Sequence, residues 1–135
     1  MLQYRLDDAA RRIVVHGRGD LSAVDVRAFV DWQILEGCWE YAVLYDMRDV
    51  ARTLGSSDQA ELVEYIAFVT KNLPPRGPLA VLTHDTTMVG VATEYGQIGL
   101  RAGLRVKTFS DESEALRWLD DQTAKPPLRF VGPSE

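Results

Sequence analysis

Tyr41-Ala42-Val43-Leu44-Tyr45-Asp46-Met47-Arg48-Asp49 is the stretch whose reading decides the fold. An unbroken apolar and aromatic run that ends abruptly in charge reads as a central strand buried on both faces, since a strand with one wet face would alternate. A second run of the same kind, Leu79-Ala80-Val81-Leu82-Thr83, follows the turn at Gly77-Pro78. Strands covered on both faces need helices between them, and the flanking segments carry helical spacing.

Upstream, Leu2, Tyr4 and Leu6 alternate with Gln3 and Arg5, Asp7-Asp8 supplies a turn, and Arg12-Ile13-Val14-Val15-His16 completes an antiparallel pair. Ser22, with Asp25 three residues on, forms a variant capping box ahead of Val26, Phe29, Val30 and Ile34, and Gly37 ends that helix. Downstream, a loop through Gly55 leads to Asp58 and Glu61 as the cap of a second helix, whose face is Leu62, Tyr65, Ile66, Val69 and Leu73; Pro74-Pro75 stops it. Met88, Val91, Ala92, Tyr95 and Ile98 mark a third helix ending near Gly103. Gly90, Gly96 and Gly99 each weaken it by about 1 kcal/mol relative to alanine, so they are expected to mark close approach to a neighbour. Arg105 to Phe109 is the last strand, with Lys107 suited to an edge, and Asp111 with Glu114 caps a final helix carrying Ala115, Leu116, Trp118 and Leu119.

The order β-β-α-β-α-β-α-β-α predicts an α/β fold with a mostly parallel sheet and one antiparallel edge strand. Residues 1–123 form one domain, and residues 124–135, with Pro126, Pro127 and Pro133, form a flexible C-terminal tail. With 46% hydrophobic and 26% charged residues, the 135-residue chain has the composition of a single globular domain. A net charge of -5 works against phosphate contacts, so nucleic acid is not expected as a partner. Cys38 is the single cysteine, which rules out an intrachain disulfide and a multi-cysteine zinc site. No basic leader or membrane-length apolar run is read in the sequence, and a cytoplasmic setting without stable membrane insertion is expected.

The stretches 41–49, Gly77-Pro78-Leu79-Ala80-Val81-Leu82 and Phe109-Ser110-Asp111-Glu112-Ser113-Glu114-Ala115-Leu116-Arg117-Trp118-Leu119, in this element order, resemble the SpoIIAA-like members of the STAS superfamily. The resemblance covers most of residues 1–123 and implies a βα superhelix. In the regulatory branch it also implies a non-catalytic anti-sigma-factor antagonist that binds a protein partner under serine phosphorylation. The acceptor there precedes the second helix in an Asp-Ser-Ser/Thr-Gly pattern; here Leu54-Gly55-Ser56-Ser57-Asp58-Gln59 places Ser57 at the acceptor position with Ser56 beside it. Gly55 replaces the leading Asp, and Asp58 replaces the following Gly. Related folds bind small apolar ligands, so a carrier or weak enzyme is the alternative to a regulatory module.

The carboxyl ends of parallel strands gather at one rim, where ligands bind. The residues expected there are His16, then Asp46, Arg48 and Asp49, then His84 and Asp85, then Ser110 and Asp111. They form a possible binding site, opposed by a plainer assignment in which Asp85 and Asp111 cap helices, Arg48 pairs with Asp49 or Asp85, and the histidines are solvated. No cofactor, metal or catalytic group is assigned. If the strands add in order, the helices collect on one face and leave an apolar one, either the Tyr41, Val43, Tyr45 set or the Ala42, Leu44 set. Cover by the tail residues Leu128, Phe130 and Val131, or by a second subunit in a homodimer, is the expectation. An apolar pocket of about 300 Å³ or more favours the ligand-binding alternative.

Overall fold

In a computed structural model, which describes residues 1–99 and 104–124, the predicted order is found. The strands are β1 (Leu2–Asp7), β2 (Arg12–Asp20), β3 (Ala42–Arg52), β4 (Leu79–Leu82) and β5 (Val106–Phe109); the helices are α1 (Ala23–Leu35), α2 (Ser56–Thr70), α3 (Thr86–Gly99) and α4 (Glu112–Ala124). They form a five-stranded sheet in the order β1-β2-β3-β4-β5, antiparallel only between β1 and β2. Lys107 is exposed on an edge strand, as its charge suggested. The expected tail, with Leu128, Phe130 and Val131, lies outside the described residues, as does the end of the third helix near Gly103.

Local chemistry explains most boundaries. Ser22 accepts a hydrogen bond from the Asp25 N–H at 3.1 Å and so caps α1. Gly37, at φ 71°, takes the left-handed conformation that ends the helix without a Cβ clash. Helix α2 departs from expectation: it begins at Ser56 with Gly55 as N-cap and no side-chain cap, so Asp58 lies inside the first turn. A carboxylate there still favours the helix dipole without serving as the cap. In α3, a Cβ on Gly90 would meet nothing within 4 Å and one on Gly96 would make ordinary 3.5 Å contact with Val106, so neither glycine marks a tight approach.

Two strands run further than their apolar cores. Strand β2 continues past His16 to Asp20, and β3 past Tyr45 to Arg52, paired with each other through register shifts after His16 and Gly19. Backbone pairing does not require apolar side chains, so the charged segment stays in the ladder. Against β4, the pairing ends at Asp46 with Leu82.

The helices do not all collect on one face. Ile13, Val15, Val43, Leu79 and Val81 pack with Phe29 of α1 and with Met88 and Ala92 of α3. On the opposite face, Ala42, Leu44, Ala80 and Leu82 are covered by Ala115 and Leu119 of α4. The expectation of an open apolar face is thereby corrected: α4 follows the last strand, has no parallel strand to reach, and is free to fold back onto the uncovered side. A second subunit is not required to cover that face. Helix α2 packs mainly on α1 and the turn after it, with Leu62 and Ile66 in one cluster with Val30 of α1 and Trp39. That arrangement leaves it standing off the sheet.

Candidate functional site

The carboxyl-end residues make several local pairings rather than one convergent site. The Arg48 guanidinium grips Asp46 with Nε at 2.9 Å and Nη2 at 2.8 Å, and Nη2 also reaches Glu112 Oε1 at 3.1 Å. The expected charge-assisted bond to a carboxylate is present, with Asp46 and Glu112 as partners in place of Asp49 or Asp85. Alternation along β3 puts Asp46 and Arg48 on the α4 side, where Glu112 opens α4. His16 pairs with Asp49 at 2.7 Å rather than being simply solvated. His84 is exposed, with Nε2 at 3.0 Å from the Ser110 carbonyl. Asp85 accepts from the Thr87 N–H at 2.9 Å, and Asp111 from the Ser113 N–H at 2.8 Å, so both act as helix caps. Among the described residues, no three His, Cys, Asp or Glu side chains converge as metal ligands.

The Arg48 hydrogen bonds hold the Asp46 carboxyl below the usual aspartate range. A depressed carboxylate stabilises the fold above its unfolded pKa, and that contribution is lost as pH falls through the folded value. Arg48→Ala should therefore lower stability at pH 7 by about 1 kcal/mol, the scale of a part-exposed pair. The gap from wild type should narrow as pH falls below about 4, the ordinary aspartate pKa, in urea melts at a series of pH values. A gap that widens on acidification would contradict the pairing.

Ser57 is exposed in the first turn of α2. The side chain of Ser56 lies outside the described residues. Cys38 is 2% exposed, its Sγ faces the Gln33 carbonyl at 3.5 Å, and burial pushes its thiol up, so it is a packed core group.

A concave feature lined mainly by apolar side chains lies elsewhere. A cavity of about 370 Å³ separates the sheet from α2 and α3. Tyr45, Met47 and Val81 form part of its floor; Leu62 and Ile66 of α2, with Met88 and Ala92 of α3, form part of its roof. It exists because α2 rests on α1 and because Ala60 and Ala92 put small side chains into the gap.

One wall of this cavity is Arg76, which the sequence reading did not single out. The residue is 5% exposed. Its Nη2 donates to Gln33 Oε1 at 2.8 Å and to the Tyr45 hydroxyl at 2.9 Å, Nη1 donates to the Tyr95 hydroxyl at 3.1 Å, and the guanidinium stacks 4.7 Å from the Trp39 ring. Gln33, fully buried, in turn donates to the Cys38 carbonyl at 3.1 Å. Burial also pushes the Tyr45 phenol up, so it remains a neutral hydroxyl. The sequence carries no specific signal for it, because an arginine between Pro74-Pro75 and Gly77-Pro78 reads as a solvated turn residue.

No family model matches the chain, and no curated protein does. Several solved structures share its architecture. The anti-sigma factor antagonist SpoIIAA in its unphosphorylated form is 15% identical, with a TM-score of 0.52 over 89% of this chain and 98% of that one. An uncharacterized DUF3478-family protein with a SpoIIAA-like fold, from Shewanella loihica, is 15% identical, with a TM-score of 0.55 over 88% of this chain and 92% of that one. Likeness at this identity carries the architecture alone, and with the strand order above it gives the conclusion that this chain has a SpoIIAA-like α/β fold.

Proposed function

We propose that the protein is a non-catalytic binding module in which the SpoIIAA-like scaffold holds a small, largely apolar ligand between the sheet and helices α2 and α3. The observation that carries this reading is the cavity, whose volume of about 370 Å³ lies within the range of small-molecule sites. A filled core would have favoured a module that acts through its surface alone. The carboxyl-end residues Asp46, Arg48, Asp49, His84 and Asp85 have partners within the fold or serve as caps, so their role in this account is structural. No helix among the described residues is long and apolar enough to cross a membrane.

A protein partner fits the same reading. Helix α2 forms part of the cavity roof and carries Ser57 at its exposed N-terminal turn, so ligand occupancy and a partner at that turn would act on one element. SpoIIAA, which shares the scaffold, is an anti-sigma factor antagonist with a distinct unphosphorylated form. Phosphate on Ser57 would gain from the helix N-terminus and lose to the carboxylate of Asp58. Intact-mass analysis of protein from its own host should show a phosphorylated species if the switch operates; its absence in every growth state would remove Ser57 from the account.

The binding reading is tested by titrating the chain with prodan, an apolar fluorophore that brightens out of water. One prodan per chain is expected to bind, and Ala92→Phe, which fills the cavity, should weaken binding about tenfold or more while the protein stays folded. Equal binding by wild type and Ala92→Phe would place the probe elsewhere and sink the proposal.

A further inference from the structure

Among the described residues, the Arg76 wall of the cavity has no carboxylate bonded to it. Arg76 makes none of the ion pairs found, and its Nε–H meets no acceptor among the described residues. Its partners Gln33, Tyr45 and Tyr95 are all neutral. The one carboxylate lining the cavity, Glu94, is exposed and makes no bond to Arg76 among those found. A guanidinium withdrawn from water without a counter-charge is costly, and folds that keep one usually give it an anion.

The hydrogen-bond directions point the same way. The Tyr45 and Tyr95 hydroxyls line the cavity and accept from Arg76, so each keeps its own proton to donate; no acceptor for either proton is found among the described residues. Spare donors fixed around a buried cation complement an anionic oxygen and offer little to a cation. Away from this point, the lining side chains Leu62, Ile66, Val81 and Met88 are apolar.

We infer that the cavity takes a small amphiphile with a single carboxylate, its head at Arg76, Tyr45 and Tyr95 and its apolar body between the sheet and helices α2 and α3. This assignment rests on the cavity being a binding site, as proposed above. A carboxylate matches the single cation in the wall, whereas a phosphate monoester carries about -1.5 to -2 charges at neutral pH and would leave a surplus buried.

The test is calorimetric titration of the full chain with octanoate, octanol, octyl phosphate and octylammonium, which share one apolar body. Octanoate should bind about tenfold or more tighter than octanol, as a charge-assisted hydrogen bond allows, and octylammonium should bind weakest. Arg76→Gln should bring octanoate down to the octanol level and leave octanol unchanged. If that variant does not fold, Tyr95→Phe should still weaken octanoate by several-fold without affecting octanol. Octanol binding to the wild type as tightly as octanoate would overturn the carboxylate assignment and leave the cavity reading standing. Failure of both would overturn both, and octyl phosphate binding tightest would replace carboxylate with phosphate.

Discussion

Phe29→Ala is expected to destabilise the protein by about 3–5 kcal/mol, the cost of truncating a fully buried aromatic side chain. Phe29 is 0% exposed and sits where α1 meets the sheet, among Ile13, Val15 and Val43. Its ring lies 5.1 Å from Tyr4 and 5.5 Å from Tyr45, both edge to face, a geometry that adds to the burial energy. Removing it opens a void beside Tyr45, one of the cavity residues, and the β-sheet cannot collapse into that space without breaking its register. Single domains are stable by only about 5–15 kcal/mol, so much of the native margin would go. Urea denaturation followed by circular dichroism measures the effect; a loss below about 1 kcal/mol would mean that the α1 side of the core is not packed as described.

Gly77→Ala is the second large effect, at about 3 kcal/mol, the upper end of what overpacking costs. A Cβ at this position would fall inside contact distance of the Tyr41 and Glu40 carbonyl oxygens, which are backbone atoms with little freedom to move. The Gly77 N–H donates to the Trp39 carbonyl at 3.1 Å, and the Val43 N–H donates to the Pro78 carbonyl at 2.9 Å. These bonds clamp the segment carrying Arg76 against the start of β3. The substitution should therefore reduce stability and also shift Arg76 off its partners, read as a drop in the melting temperature together with a loss of octanoate affinity. Alanine tolerated with an unchanged melting temperature would show that the two segments do not approach as closely as the structure has them.

The sequence made the sheet order readable because each central strand is an unbroken apolar run and each predicted crossover contains a helix with a clear face. It made α1 readable to the residue, since Ser22 and Gly37 are specific end signals. Strand ends were harder: Asp46, Arg48 and Asp49 look like a loop by composition, yet their backbone stays paired to β2. The placement of α4 was not legible either. Ala42 and Leu44 on one face and Val43 and Tyr45 on the other are both apolar, so nothing local says which helix covers which. Arg76 was missed for a related reason, because an arginine among prolines and glycines reads as solvated until tertiary contacts show Trp39, Tyr45, Tyr95 and Gln33 closing around it. Ala60 and Ala92 cannot announce a cavity on their own, since an alanine facing the core is equally consistent with close packing.

The central claim, that the space between the sheet and helices α2 and α3 is a binding site, is tested most directly by methyl-resolved NMR during an octanoate titration. Saturable shifts are expected at the Met47, Met88, Val63 and Val91 methyls, which line the cavity, while Ala115 and Leu119 of α4, on the opposite face, stay in place. An absence of shifts up to millimolar octanoate, or shifts concentrated at Ala115 and Leu119, would contradict it.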